Sequence, residues 1–378
     1  MFDHEDTFAE LNHRGPLTDK LAFLHDTVQQ TFPFIHRIAV ILYNPKTDLL
    51  STFVASSGDN NPLRNYRARL QDVPSLQEIL AAGRPRLIRD LDLYAAAHDS
   101  QAIHTQRLSS SGFHSSYTMP IEVDDTFIGF IFFNSRQADA FSDQTLAQLD
   151  MYGHMISLAV AHELTKIRAM LATLHTARHI TTVRDMETGA HLERMAHYSR
   201  LIAEELAERC NFTDEYIHHI FLFSPLHDIG KVGIPDAILK KPTTLSADEF
   251  HIMQQHVTKG REIIDSIIKD VELEALPHIE VLRNIAEYHH EAVDGHGYPH
   301  GLNGEQIPIE ARIIAVADVF DALTSDRSYK QRWPNDEAFV MLRNLAGYKL
   351  DPLCVEALLK HRSEIEEIQQ RFRETDPG

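Results

Sequence analysis

Near residue 176 the period of the apolar residues changes. Before it, short runs rich in β-branched and aromatic residues are separated by turn residues. After it, apolar residues recur three and four apart. One layer of secondary structure does not satisfy both patterns, so the chain is expected to fold as two domains. Its 378 residues agree with that number.

In the first part, residues 17–32 read as an amphipathic helix. Residues 37–57 (RIAVILYNPKTDLLSTFVASS) read as two strands around a turn at Asn44 and Pro45. Residues 74–91 give a short helix and then a strand. Residues 115–135 give two more strands, with the turn at Asp124 and Asp125 and Gly129 in mid-strand. Residues 142–176 form a long helix. The expected fold is α+β, an antiparallel sheet with helices. In the long helix Val160, Leu164, Ile167, Leu171 and Leu174 alternate four and three apart. That spacing predicts a parallel two-stranded seam joining two protomers, or packing of the helix on its own domain. From 176 on, segments such as HLERMAHYSRLIAEELAERC and PIEARIIAVADVFDALTSD predict an all-α bundle.

The formal charge of −19 argues against a nucleic-acid footprint, which needs a basic face. It leaves room for a small anion in a pocket made positive by bound metals. No run of apolar residues is long enough to span a membrane. The start, MFDHEDTFAE, lacks the apolar core of a signal peptide, and the 2 cysteines lie far apart, so the cytoplasm is the expected compartment.

Among 24 histidines, the informative ones stand beside carboxylates. His227 and Asp228 are adjacent in LHDIGKVGIP, where an imidazole and a carboxylate can reach two different metals. Glu187 and His191, four apart, share a helix face. His256 lies in MQQHVTKG, and His289 and His290 in EYHHEAVDGHGYP. Asp318 interrupts the apolar run IIAVADVFDAL, where a buried charge needs a partner. Imidazole with carboxylate suits iron, manganese, zinc or nickel rather than a cysteine-type zinc site. The loop with Gly295, Gly297, Tyr298, Pro299, Gly301 and Gly304 reads either as a tight surface turn or as a pocket rim.

HDIGKVGIP at 227–235, HHEAVDGHGYPHGL at 289–302 and DVFDALTSDRSY at 318–329 resemble the HD-GYP family over most of 180–360. The resemblance implies an all-α HD-type domain with two or three divalent metals, iron first and manganese as alternative. It implies hydrolysis of cyclic di-GMP to linear pGpG and on to GMP, or of cyclic GMP-AMP in some members. Carried over by motif, His227, Asp228, His256, His289, His290 and Asp318 are the core ligands, and Glu187 with His191 goes with a third metal. Asp228 and Lys231 are the catalytic candidates. Lys231, Arg327 and Lys330 are placed to hold the phosphates or a guanine edge. Asp321 is a candidate for orienting a ligand from behind. The glycine-rich loop is where a diguanylate cyclase domain would dock. Val257 replaces the family's usual proline after the histidine.

TMPIEVDDTFIGFIFFNS and FSDQTLAQLDMYGHMISLAVAHEL resemble the GAF sensor domain over about residues 15–165. The expected division is an extension (1–14), a GAF-like sensor (15–160), a helical linker that makes a homodimer (161–180) and an HD-GYP domain (181–378). The sensor's ligand is unknown. No cysteine precedes Cys210, which excludes a thiol-linked chromophore there. Haem on His25, His36, His98, His104 or His114 stays open. Two other readings compete with the phosphodiesterase. One is a receptor that binds a cyclic dinucleotide without cleaving it. The other is a different HD enzyme, a nucleotide phosphohydrolase or a di-iron oxygenase.

Overall fold

A computed structural model describes residues 6–13, 15–58, 61–97, 103–182, 189–270, 276–326 and 332–373. The chain divides into two compact units, Met1–Lys166 and Ile167–Gly378.

In the first unit α1 (Leu17–Thr31) precedes β1 (Ile35–Asn44), β2 (Leu49–Ser57) and β3 (Arg67–Arg69). Next come α2 (Pro74–Ala82), β4 (Arg86–Ile88), α3 (Leu91–Ala97) and α4 (Ile103–Ser110). The hairpin β5 (Ser115–Val123) and β6 (Thr126–Ser135) then leads into α5 (Asp143–Thr182). The six strands form one antiparallel sheet in the order β3-β2-β1-β6-β5-β4. Strand alternation sorts the side chains. Val40, Leu42, Ile131 and Phe133 pack with Leu21 and Leu24 of α1 and Leu149 and Ile156 of α5. Ile41, Phe130 and Phe132 pack on the other face with Leu76 and Ile79 of α2. Asp124 and Asp125 both take positive φ, 47° and 59°, as the tight hairpin turn requires. The α+β expectation holds. β3, α3 and α4 were not foreseen, because each is too short to show a period.

The second unit is helical: α6 (Gly189–Cys210), α7 (Asp214–Phe223), α8 (Asp236–Leu239), α9 (Ala247–Gln254), α10 (His256–Asp270), α11 (Ile279–Tyr288), α12 (Ile309–Thr324), α13 (Asn335–Leu345), α14 (Pro352–Leu359) and α15 (Arg362–Arg371). Among the described residues it contains no strand. Met195, Tyr198 and Ile202 of α6 meet Ile313, Ala317 and Phe320 of α12 in its core, with Leu358 of α14 in the same cluster. Thr213 caps α7 by accepting from Tyr216 N at 3.1 Å. Asp351 caps α14 and also accepts from Arg312 Nη1 at 2.6 Å, tying α14 to α12.

Of the two uses foreseen for the 4-3 spacing, packing within the chain is the one these side chains make here. Val160 and Leu164 belong to the core of the first unit. Ile167 and Leu174 belong to the core of the second, and Leu171 packs against it. Side chains four and three apart serve a domain core as well as a coiled coil, so spacing alone did not decide between them. Leu174→Ala is expected to cost about 2–5 kcal/mol. In chemical denaturation that loss should not vary with protein concentration. A loss that depends on concentration would place Leu174 at a subunit contact instead.

Candidate metal centre

His227 and Asp228 sit between two short 3-10 turns, Ser224–Leu226 and Ile229–Gly233, that follow α7. What presses this segment onto α10 is Gly230. A Cβ there would stand 1.8 Å from the His256 carbonyl oxygen and 2.4 Å from Gly260 N, so only glycine fits. The contact brings Asp228 beside His256, the first residue of α10. Val257 follows in the first helical turn, where proline and valine are both tolerated, and it is buried.

Each histidine ring is oriented from behind. His227 Nδ1 lies 3.1 Å from Ser224 O, His256 Nδ1 2.7 Å from Met253 O, and His289 Nδ1 2.9 Å from Ile285 O. A carbonyl only accepts, so these three Nδ1 atoms carry the proton and Nε2 presents a lone pair. The three Nε2 atoms point at one carboxylate. His227 Nε2 is 3.2 Å from Asp228 Oδ2, and His256 and His289 Nε2 are 3.1 and 3.7 Å from Oδ1. His256 Nε2, His289 Nε2 and Asp228 Oδ1 are buried and make no hydrogen bond. Lone pairs facing a carboxylate oxygen repel unless a cation lies among them, so the donors fit a metal.

Two donor groups emerge, each with its atoms within 4.8 Å of one another: Asp228, His256, His289 and His290, and His191, His227 and Asp318. Adjacent His227 and Asp228 link the groups. Neither cysteine takes part: Cys354 is buried elsewhere and Cys210 is exposed.

Burial lowers the pKa of His289 and of His290, keeping both rings neutral and able to ligate. Burial alone would raise Asp228. The Lys231 cation outweighs it and holds the carboxyl well below its usual range. Lys231 Nζ stands 2.8 Å from Asp228 Oδ2.

Asp321 contacts one of the candidate ligands. It is fully buried and accepts from His191 Nδ1 at 2.7 Å, leaving Nε2 as the ring nitrogen free to ligate beside His227 and Asp318. The sequence reading missed Arg194, which grips both oxygens of Asp321 at 2.6 and 2.9 Å and donates to Phe372 O at 2.9 Å. It also missed Glu291, whose oxygens accept from His300 N at 2.7 Å and Leu302 N at 2.9 Å. Glu291 thereby holds the glycine-rich loop. In that loop Gly297 is pressed onto Ala292 N, where a Cβ would come within 2.2 Å. Gly295 takes φ 82°, and Tyr298 N donates to His290 O at 3.2 Å ahead of Pro299. The Tyr298 ring lies 4.8 Å from the His290 ring. Glu187, Arg327 and Lys330 lie outside the described residues.

The first unit has its own buried polar atoms. By strand alternation Thr118 stands on the sheet face opposite α1 and α5, paired with Arg86. Thr118 Oγ1, Arg86 Nε and His104 Nδ1 are buried without a hydrogen bond. Burial and then nearby Arg86 hold His104 down to about 4. The other candidate haem histidines are engaged: His25 with Ser56 Oγ and Ile35 O, His36 with Arg136 N, and His114 with Asp92. His98 lies outside the described residues.

The chain thus combines an antiparallel α+β unit with a helical unit in which imidazoles and carboxylates cluster as candidate metal donors. Residues 19–160 match the family model of the GAF domain, and 186–353 match that of the HD domain. The first half of the chain thus carries a region similar to the GAF domain, and the second half a region similar to the HD domain. The cyclic di-GMP phosphodiesterase response regulator RpfG of Xanthomonas campestris is 45% identical over 190 residues, covering 50% of this chain and 47% of that protein. A cyclic di-GMP phosphodiesterase of Thermotoga maritima is 42% identical over 197 residues, covering 52% and 50%. The 3'3'-cGAMP-specific phosphodiesterase 2 of Vibrio cholerae is 38% identical over 223 residues, covering 59% and 41%. The chain spans about half the length of the curated relatives it matches.

Asp321→Asn should expose what the buried Asp321–Arg194 pair contributes. The expected loss is about 3–5 kcal/mol at neutral pH, because Arg194 loses its counter-charge. Burial pushes Asp321 up, but His191 and Arg194 pull it below its usual 3.8. A carboxyl lowered in the folded state stabilises above 3.8 and loses that contribution as pH falls toward its folded value. Denaturant midpoints of wild type and variant should therefore converge in acid. A gap constant with pH would contradict this assignment.

Proposed function

We propose that the HD domain is a metal-dependent phosphodiesterase that hydrolyses cyclic di-GMP to linear pGpG and on to GMP, regulated by the GAF domain. The observation that carries this reading is the set of buried imidazole lone pairs converging on Asp228. His191, His227 and Asp318 are the proposed ligands on one side and His256, His289 and His290 on the other, with Asp228 between them. Iron is the proposed metal and manganese the alternative, since both accept imidazole with carboxylate. Glu187 with His191 would serve a third ion. When bound, such ions supply an activated water and neutralise phosphate oxygens.

The chain's own residues do the rest. The Nδ1 hydrogen bonds fix the ring orientations before substrate arrives, so little reorganisation is needed. Lys231 keeps Asp228 ionised and sets a positive charge where a phosphate would lie. We assign it to that phosphate and to the departing 3′-oxygen. Arg327 and Lys330 are assigned to the second phosphate or a guanine edge. In the GAF domain, Arg86, His104 and Thr118 are the groups proposed to meet a small polar ligand.

The loop of Gly295, Gly297, Tyr298 and Pro299 is proposed as the rim and as the contact for a diguanylate cyclase domain. A homodimer through the linker helix could extend along the exposed side of α5 before it, where Met151 and Leu158 are 68% and 71% exposed. No helix of the described residues is long and apolar enough to cross a membrane. A cytoplasmic location fits a cyclic dinucleotide substrate. A second reading, cyclic GMP-AMP as preferred substrate, is favoured by the similarity to a cGAMP-specific enzyme.

The protein would be purified without oxygen, loaded with Fe(II) or Mn(II), and followed by chromatography of cyclic di-GMP. Wild type should form pGpG and GMP, and Asp228→Ala neither. If fully loaded wild type leaves cyclic di-GMP intact but cleaves cyclic GMP-AMP, the second reading replaces the first. Inertness toward both would overturn the enzyme.

A further inference from the structure

Short helix α9 runs into His256 through Gln255, and none of its residues is buried. It is nevertheless firmly fixed. Ser246 and Glu249 form a reciprocal capping box, and Lys241 Nζ pairs with Glu249 Oε2 at 2.5 Å. This capped helix presents Phe250 to solvent, 49% exposed. A lone exposed phenylalanine is ordinary on a protein surface. Its neighbours set this one apart.

The Phe250 ring lies edge-on to Tyr298 at 6.5 Å. Tyr298 lies 4.8 Å from His290 and 6.4 Å from His256, both in the donor group around Asp228. The rings therefore form a file from the candidate metal centre outward: His290, Tyr298, Phe250. A nucleotide has a similar order. Its phosphate belongs at the charged centre, and its base lies one sugar farther out. The phosphate end meets imidazoles and Lys231. The base end meets an aromatic wall whose outermost ring is open to solvent.

We propose that Phe250, backed by Tyr298, is a substrate-binding residue that stacks one nucleobase of the cyclic dinucleotide. The inference rests on the phosphodiesterase reading and adds a residue outside the motifs that identify the domain. Stacking tolerates any base, because every base has a π-face. Phe250 would thus contribute affinity for nucleotides as a class, and the choice between guanine and adenine would lie with hydrogen-bonding groups. Binding of this kind is felt equally before and during the reaction, so its loss appears in KM more than in kcat.

The test uses the full chain loaded with Mn(II), with Phe250→Ala, Phe250→Leu and Phe250→Trp beside wild type. Phe250 is on the surface, so all three should fold, and their metal content should match wild type. For cyclic di-GMP, Phe250→Ala is expected to raise KM about ten-fold, with a much smaller change in kcat. Phe250→Trp should restore KM. Phe250→Leu, apolar but without a π-face, should not. A wild-type KM in Phe250→Ala, with wild type turning over normally, overturns the stacking role and leaves the phosphodiesterase standing. Full rescue by leucine also overturns it, by reducing the contact to apolar packing. Absence of turnover in metal-loaded wild type sinks the phosphodiesterase reading, and this inference with it.

Discussion

The second unit is organised around a repulsion. His227, His256 and His289 have their protons fixed on Nδ1 by backbone carbonyls, so their lone pairs face Asp228 in a buried space. Without a cation this is an expensive arrangement. Several independent features maintain it. Gly230 lets the His227–Asp228 segment touch α10, Asp321 accepts from His191 Nδ1, and Glu291 ties down the loop that carries Tyr298. Structure that holds like groups together against their electrostatics is what a metal-binding site needs before its ions arrive.

That same site would reconcile an acidic chain with the anionic substrate proposed for it. A formal charge of −19 repels a dinucleotide at long range. Divalent ions held by neutral imidazoles and few carboxylates would reverse the sign locally. Lys231 adds a cation where Asp228 is held. With metals bound, attraction would thus be concentrated at the pocket.

Much of this was legible in the sequence, and the gaps have physical causes. The hairpins of the first unit were readable because strand alternation and turn residues are local signals. So was the clustering of most of the candidate donors: imidazole–carboxylate adjacency and an aspartate within an apolar helix carry information without coordinates. Gly260, Arg194 and Glu291 were not readable, since each acts through a partner distant in sequence, Arg194 on Asp321 for instance. Phe250 escaped because a single exposed aromatic has meaning only beside Tyr298. The helix seam was legible as a spacing that left two uses open, and Val160 and Leu174 are found in cores that the spacing does not specify.

The central claim is that the converging donors hold divalent metal. Its most direct test is a calorimetric titration of the metal-free chain with Mn(II), followed by thermal unfolding. Binding of at least two ions per chain is expected, with stabilisation of about 2.7 kcal/mol at a hundred-fold excess over Kd for each site. A folded chain that takes up no Mn(II) or Fe(II) and melts at the same temperature with and without them would contradict the account.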